Sequence, residues 1–495
     1  MSGGGDIQEA GVRQHEWYSR EFPEAAKELL EDSQTRRNVR HATNVIQNKR
    51  NKMSEELPDW QDLREAGSQI RAHALRHLDY YLAKFEENCT KAGGHVHWAA
   101  DAEEANRIVL GLIQKHEARE VIKIKTMTSE EIGLNANLAK NGVKATETDL
   151  AELIIQLGKD RPSHFVVPAL HKNKAQIREI FLREMKLKEL GTEPEDLATA
   201  ARVYLREKFL GVKVAVSGAN FLMADTGGVC LVESEGNGRM CLTLPDVLIS
   251  LVGIEKVIPS FRDLEVMLQT LPRSATGERM NPYNSTWCGV TPGDGPKEFH
   301  VVLLDNGRSP ILADNEASQT LKCIRCAACL NACPVYHQTG GHAYESVYAG
   351  PIGAILTPQL MSMEKGRSLP YASSLCGACY EVCPVKINIP EVLIHLRGKV
   401  VQEDQATLAG KVSLWNIGMQ AAAFLFKDAK RLEMAESIGR VGQKVFVSKN
   451  GFIEALPLML SGWTQTRDLK AMPQESFREW WAKERGGEKG KTRRG

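Results

Sequence analysis

Residues 323–334 read C-I-R-C-A-A-C-L-N-A-C-P, which places Cys323, Cys326, Cys329 and Cys333 in one short stretch closed by Pro334. Further along, C-G-A-C-Y-E-V-C-P supplies Cys376, Cys379, Cys383 and Pro384. Thiolates are soft donors, and cysteines this dense select zinc, copper(I) or iron–sulfur. A structural zinc takes four ligands, usually as two separated pairs. The first run alone brings four at close spacing, more than one tetrahedral zinc wants. Paired zinc ribbons are the rival reading; iron–sulfur, and hence one-electron chemistry, is the better fit.

The spacing C-x2-C-x2-C-x3-C-P is that of bacterial ferredoxins, where the fourth cysteine of a run binds the other run's cluster. That rule assigns Cys323, Cys326, Cys329 and Cys383 to cluster one, and Cys333, Cys376 and Cys379 to cluster two. Two [4Fe-4S] clusters are therefore expected. The second run is one cysteine short. Aligned on Cys383 and Pro384, the missing position falls on Ser373. Three completions stay open: an alkoxide from Ser373 or Ser374, a labile iron, or a ligand from elsewhere or from a partner. Cluster two should accordingly be the more labile one. Of the other cysteines, Cys89, Cys230 and Cys241 lie in apolar patterns that suit core thiols. Cys288, in S-T-W-C-G-V, is not assigned by its context.

The elements that must position these cysteines read as follows. The 495 residues allow two to four domains. Hydrophobic content of 42% and charged content of 25% are those of an ordinary globular chain. A net charge of +1 argues against a nucleic-acid-binding surface. No apolar stretch is long enough to span a bilayer. Residues 413–426 come nearest and read as a core helix, with a partner surface or peripheral membrane contact as alternatives. The start, M-S-G-G-G-D, is neither a signal nor a transit peptide, so a reducing cytoplasm without disulfides is expected.

Residues 1–66 are polar and helical in pattern. Residues 67–305 alternate short strands and helices, the signature of a sheet covered by helices. Strands are expected at 95–99, 121–126, 143–147, 164–168, 212–220, 228–233, 241–245 and 247–258, and from 299. Helices are expected at 63–88, 102–116, 130–141 and 260–271. Residues 306–398 form the cysteine module. Residues 399–495 read as helical, with a basic, disordered tail over 486–495.

Several stretches of the α/β part together resemble one family. They are K-I-K-T-M-T-S-E-E-I-G-L-N (123–135), E-T-D-L-A-E-L-I-I-Q-L (147–157), R-P-S-H-F-V-V-P-A-L-H-K (161–172), G-A-N-F-L-M-A-D-T-G (218–227), E-S-E-G-N-G-R (233–239) and V-G-I-E-K-V-I-P (252–259). They are similar to the LUD domain of lactate utilisation proteins. With Y-E-V-C-P-V-K-I (380–387) and the cysteine runs, the chain resembles the lactate utilisation protein B (LutB) family. The resemblance implies an α/β LUD sheet related to the sugar-phosphate isomerase (NagB/RpiA) and CoA-transferase folds, followed by a two-cluster ferredoxin module. It also implies a part in a three-subunit complex that oxidises L-lactate to pyruvate, with LutA-like and LutC-like partners. The family pattern, too, has seven cluster cysteines.

A 2-hydroxy acid needs a cation for its carboxylate and a base for its hydroxyl proton. Lys123 and Lys125 share one strand face. His164 and His171 flank a strand-like run and titrate in the right range. Asp225, with Asn220 and Thr226, sits in a glycine-punctuated loop. Lys123, Lys125, His164 and Asp225 are the candidate catalytic residues. Each has a plainer reading as solvated face, surface histidine or turn residue. No G-x-G-x-x-G, P-loop or H-E-x-x-H occurs, and no flavin signature is evident. The leading expectation is an electron relay subunit. A catalytic LUD oxidoreductase, or an iron–sulfur subunit for another 2-hydroxy acid such as glycolate, are the alternatives.

Overall fold

The computed structural model describes residues 19–457, 460–464 and 467–491, with side chains through 484. It has two compact units, 1–398 and 399–495, each taken by itself below. In the first, the strands in chain order are β1 (His95–Ala99), β2 (Glu120–Lys123), β3 (Lys144–Glu147), β4 (Val214–Ser217) and β5 (Phe221–Met223). They continue with β6 (Gly228–Glu233), β7 (Val247–Gly253), β8 (Val257–Ile258), β9 (Tyr283–Trp287) and β10 (Glu298–Leu304).

Side chains in a strand alternate between faces, so a sheet covered on both sides must be apolar throughout. The central strand β7 obeys this: all seven of its residues are buried. It lies in a six-stranded parallel sheet of order β1-β10-β7-β4-β2-β3. Ile122, Ala215, Leu248, Val301 and Leu303 point to one face, where Leu82 and Phe85 of the helix Leu78–Lys91 cover them. Val121, Val216, Ile249, Leu251 and Val302 point to the other, against Val109 and Ile113 of the helix Ala102–Lys115. A four-stranded sheet of order β8-β5-β6-β9 stands beside it.

The cysteine module has short helices, Ala328–Asn331, Tyr336–Thr339, Gly350–Leu360 and Ala378–Val382. Its core is continuous with residues of the N-terminal helices and the α/β part, including Val39, Leu75, Phe165 and Met267. The helices Ser33–Glu55 and Trp60–Arg76 pack against it, and the second crosses the expected boundary at residue 66.

Several expected elements differ. The helix expected over 63–88 is two, Trp60–Arg76 and Leu78–Lys91, and the strand expected over 247–258 is β7 and β8, parted by a turn of 3-10 helix at Ile254–Lys256. Residues 164–168 are not a strand. Ser163 donates its N–H to the Pro168 carbonyl at 3.0 Å, and His164 Nδ1 captures the amides of Val166 and Val167, both at 3.1 Å. Those are the groups that a strand ladder would have used. Residues 241–245 carry no strand; Asn237–Thr243 is a helix. Gly236, at φ +83°, turns the chain, and the Glu233 carboxylate accepts the N–H groups of Gly236, Gly238 and Arg239. The expected helix over 130–141 is two, Met127–Glu131 and Leu134–Lys140, parted at Gly133 (φ +63°).

The second unit contains the helices Leu414–Phe426 and Ala429–Gly442, which pack on each other, and a small antiparallel pair, Phe452–Ile453 with Leu469–Lys470. Residues 414–426 are helical but not core: Leu414, Trp415, Ile417, Phe424 and Phe426 are exposed. Apolarity alone does not say which neighbours are present to cover a helix. The last helix, Phe477–Lys491, runs into the tail expected to be disordered; residues 492–495 and 1–18 lie outside the described residues. Among the described residues, no helix is long and apolar enough to cross a membrane.

Gly341 joins the cysteine module to the α/β part. A Cβ there would sit 2.0 Å from the Ser163 carbonyl oxygen, against backbone that has no side-chain freedom to yield. Gly341→Ala should cost about 1–3 kcal/mol, as overpacking does, and lower the thermal midpoint of the purified chain. An unchanged melting curve would contradict this packing.

Candidate metal centre

One cavity in the cysteine module is lined by Cys323, Cys326, Cys329 and Cys383, walled by Phe165, Ile352 and Ile389. Arg325 and Ala327, both at positive φ, bend the chain between these cysteines. The amides of Arg325 and Ile387 point at Cys323 Sγ and Cys383 Sγ, each at 3.4 Å. Burial pushes the Cys326, Cys329 and Cys383 thiols above their ordinary range. A metal taking them as thiolates must displace their protons on binding.

Cys333, Cys376 and Cys379 form a second group, close enough that their charges would interact. Cys333 and Cys379 are buried, and Cys376 is exposed. Burial pushes Cys379 up to about 12. The Ser373 hydroxyl accepts the N–H of Leu375 at 3.1 Å and so serves its own turn. Ser374 is exposed. The buried Tyr344 hydroxyl lies near Cys333 and has no well-formed hydrogen bond. Arg50 Nε and Arg325 Nη1, near the first cavity, are buried and unpartnered as well. Soft thiols with orphaned donors around them fit iron–sulfur clusters, whose sulfur atoms accept hydrogen bonds.

The candidates in the α/β part are not all together. Lys123, at the end of β2, is buried and meets Glu147 at 2.6 Å, Glu130 at 3.0 Å and Asn135 Oδ1 at 3.1 Å. Burial would lower its pKa, but the two carboxylates outweigh that and hold it charged. Lys125 pairs with Glu152 at 3.0 Å. Burial raises Glu152 to about 7 despite that lysine. Burial likewise raises Glu235 to about 7, helped by Asp149.

His164 lies within charge range of Lys125, yet it does not fit the role of a base. Burial lowers its pKa to about 3, its Nδ1 lone pair is taken by two amides, and Nε2 meets Asn331 Oδ1 at 3.1 Å. It is a neutral bracket onto the helix Ala328–Asn331. His171 is held between Ser163 Oγ at 2.8 Å and Asp160 at 3.1 Å. Asp225 is exposed and apart from the lysines; its carboxylate accepts the Phe261 N–H at 2.9 Å, at the start of the helix Phe261–Ala275.

Sequence reasoning missed a buried network at the C-terminal ends of the sheet. Arg308 grips Glu131 with two bonds of 2.9 Å and Glu255 with one of 2.5 Å. Arg325, from within the first cysteine run, reaches Glu255 at 3.4 Å and lies over the Tyr348 ring at 4.8 Å. Tyr348 donates to Glu131 at 2.6 Å. The one available signal was an arginine between two expected ligands.

The family model for the LUD domain matches residues 82–304, and that for a 4Fe-4S dicluster domain matches 319–387. Lactate utilization protein B of Oceanobacillus iheyensis is 43% identical, over 88% of this chain and 90% of its own. The Bacillus subtilis protein of that name is 42% identical, covering 93% and 96%. That of Bacillus licheniformis is also 42% identical, covering 96% and 99%. The chain belongs to the lactate utilisation protein B family. In this LutB family member, the α/β sheet is therefore a LUD domain, and the cysteine module is of the ferredoxin type.

Burial pushes Cys89, Cys230 and Cys241 each up to about 12. In the native holoprotein at pH 8 these three should resist alkylation while exposed Cys288 reacts. Removing iron should add Cys376 to the labelled set; mass spectrometry of the modified peptides reads both. Equal labelling of Cys376 with and without iron would deny it a ligand role.

Burial would raise the Glu255 carboxyl, but Arg308, Arg325 and Lys256 pull it down from 4.5 to about 2. A lowered carboxyl stabilises the native state above its unfolded pKa, and that contribution is lost as pH falls from 4.5 towards 2. The shift corresponds to about 3 kcal/mol. Denaturant titrations of wild type and Glu255→Gln should differ by roughly that at pH 7 and converge in acid.

Proposed function

We propose that this LutB family member is the iron–sulfur electron-transfer subunit of a complex that oxidises L-lactate to pyruvate. The observation that carries the reading is the crossed cysteine set: Cys383 of the second run lines the same cavity as Cys323, Cys326 and Cys329 of the first. The relatives' name supplies the metabolite. In this assignment, Cys323, Cys326, Cys329 and Cys383 hold cluster one, and Cys333, Cys376 and Cys379 hold cluster two. Two such clusters supply one-electron transfer when bound.

Lactate gives up two electrons with two protons, so the carbon–hydrogen bond is broken where a two-electron acceptor is present. The polar residues of the LUD part favour a relay rather than that step. Lys123 and Lys125 are already paired with carboxylates, and His164 has no free lone pair. LutA-like and LutC-like partners would bring the substrate site. The chain's own residues hold the thiols, exclude water from the first set and leave Cys376 of the second at the surface. That exposed edge is the natural place for electrons to enter or leave, and for cluster two to lose iron first. The module is taken as 306–398 and the LUD part as ending at 305, its start set after the helix Trp60–Arg76, which crosses residue 66.

Cys326→Ala should abolish growth on L-lactate while growth on glucose continues. Lys125→Ala should leave lactate growth intact. The purified holoprotein alone should not reduce an artificial acceptor with lactate. Lactate oxidation by the isolated chain would replace the relay by a catalytic LUD domain, and normal growth of Cys326→Ala would reject both.

A further inference from the structure

Neither matched segment reaches the N-terminal helices. Yet Arg50 of the helix Ser33–Glu55, and Arg64 and Arg71 of the helix Trp60–Arg76, are buried against the cysteine loops. Arg64 and Arg71 are seven residues apart, which puts them on one helix face. Arg50 Nη2 donates to the Val382 carbonyl at 3.1 Å. Arg64 donates to the carbonyls of Cys383 at 2.9 Å and Tyr380 at 3.0 Å. Arg71 donates to those of Leu321 at 2.9 Å and Lys322 at 3.3 Å, and to those of Glu255 and Val257.

None of these hydrogen bonds reaches a carboxylate; Arg50 and Arg64 add only the side-chain amides of Asn51 and Gln61. A buried guanidinium without an anion is costly, so such a charge needs a counter-ion. The thiols of the first cavity are placed to supply it. Arg50 is within charge range of Cys326 and Cys383, Arg71 of Glu255 and then Cys323, and Arg64 of Cys383. Lys256 and Arg325 add charge beside Cys323, and Lys322 beside Cys383. Six basic side chains thus face the first set, although burial lowers Lys256 to about 7; Glu255 and, beside Lys322, Glu65 are the acids among them. At Cys333 the leading partners are instead the amides of Tyr336 and Val335, then Cys376 and Tyr344, and at Cys379 they are Cys333 and Cys376.

We propose that the N-terminal helices are an integral part of cluster one: Arg50, Arg64 and Arg71 clamp its ligand loops and hold positive charge against it, making it the more easily reduced of the two clusters. An added electron raises the cluster's negative charge, so neighbouring cations favour the reduced state. Cluster two has one thiolate fewer, which favours its reduction by one unit of charge. Five full cations, with Lys256 partly charged, against the Glu255 and Glu65 carboxylates outweigh that. The clamp also explains why a segment outside both domains is polar yet ordered: its arginines are inward groups.

The test is a redox titration of the purified holoprotein, followed by electron paramagnetic resonance, with Cys376→Ser used to assign the cluster-two signal. Cluster one should titrate at the higher potential. Arg50→Gln should lower its midpoint and leave that of cluster two in place, whereas Arg50→Lys, which keeps the charge, should lower it less. Lys322→Gln provides a milder arm: Lys322 is half-buried and its ammonium bonds only Ser68 Oγ, at 3.3 Å, so the variant should keep both clusters and show the same one-sided shift. A cluster two that titrates above cluster one, unchanged midpoints in Lys322→Gln, or equal displacement of both signals would overturn the proposal. The inference rests on the ligand assignment above. A holoprotein without any iron–sulfur signal would sink that assignment, whereas unshifted midpoints sink the charge ordering alone.

Discussion

Buried positive charge bonded to backbone carbonyls rather than to carboxylates is the constraint around which this structure is organised. Arg50, Arg64 and Arg71 reach the cysteine loops from two N-terminal helices and bond backbone carbonyls there. Carbonyl dipoles solvate a guanidinium in part, but they do not neutralise it. The thiol-lined cavity sits where the neutralising charge belongs. Helix packing, loop conformation and cluster chemistry are then coupled. The loops that carry these carbonyls are bent at Arg325, Ala327 and Leu375, all at positive φ.

The same logic extends into the LUD sheet. In open α/β sheets ligands bind beyond the carboxyl ends of the strands. Here the ends of β2, β3 and β7 carry Lys123, Glu147 and, just past β7, Glu255, and each is engaged by a neighbour. Arg308 and Arg325 bridge Glu255 towards the first cysteine run, and His164 brackets Asn331 between Cys329 and Cys333. Glu255 and His164 thus fasten sheet to module, while Lys123 and Glu147 are tied to each other within the α/β part.

The cysteine runs were legible because spacing is a local property. Cys323, Cys326 and Cys329 line one cavity with Cys383 of the second run, while Cys333 lies with Cys376 and Cys379. The helix-covered sheet was legible too, since β7 is buried on both faces and only a doubly covered sheet needs that. Side-chain capture of backbone was not legible. Nothing in R-P-S-H-F-V-V-P announces that His164 will hold the amides of Val166 and Val167, and nothing in C-L-T-L-P shows that Glu233 will cap a helix there. Both depend on where a neighbouring group points, which period and propensity do not encode.

The N-terminal arginines fail for a related reason. A helix rich in arginine, glutamine and asparagine reads as solvated, because water is the usual partner of charge. Burial becomes tolerable only when the anion arrives from distant sequence, here from Cys323, Cys326 and Cys383. Polarity in residues 33–76 and cysteine density in 323–383 are therefore two halves of one electrostatic arrangement. Each half reads as something plainer alone: a surface helix, or a self-sufficient ferredoxin loop. The pairing also changes what a cluster ligand is in this chain. The thiols would fix where iron sits, while Arg50, Arg64 and Arg71, half of the basic groups facing it, come from the N-terminal helices.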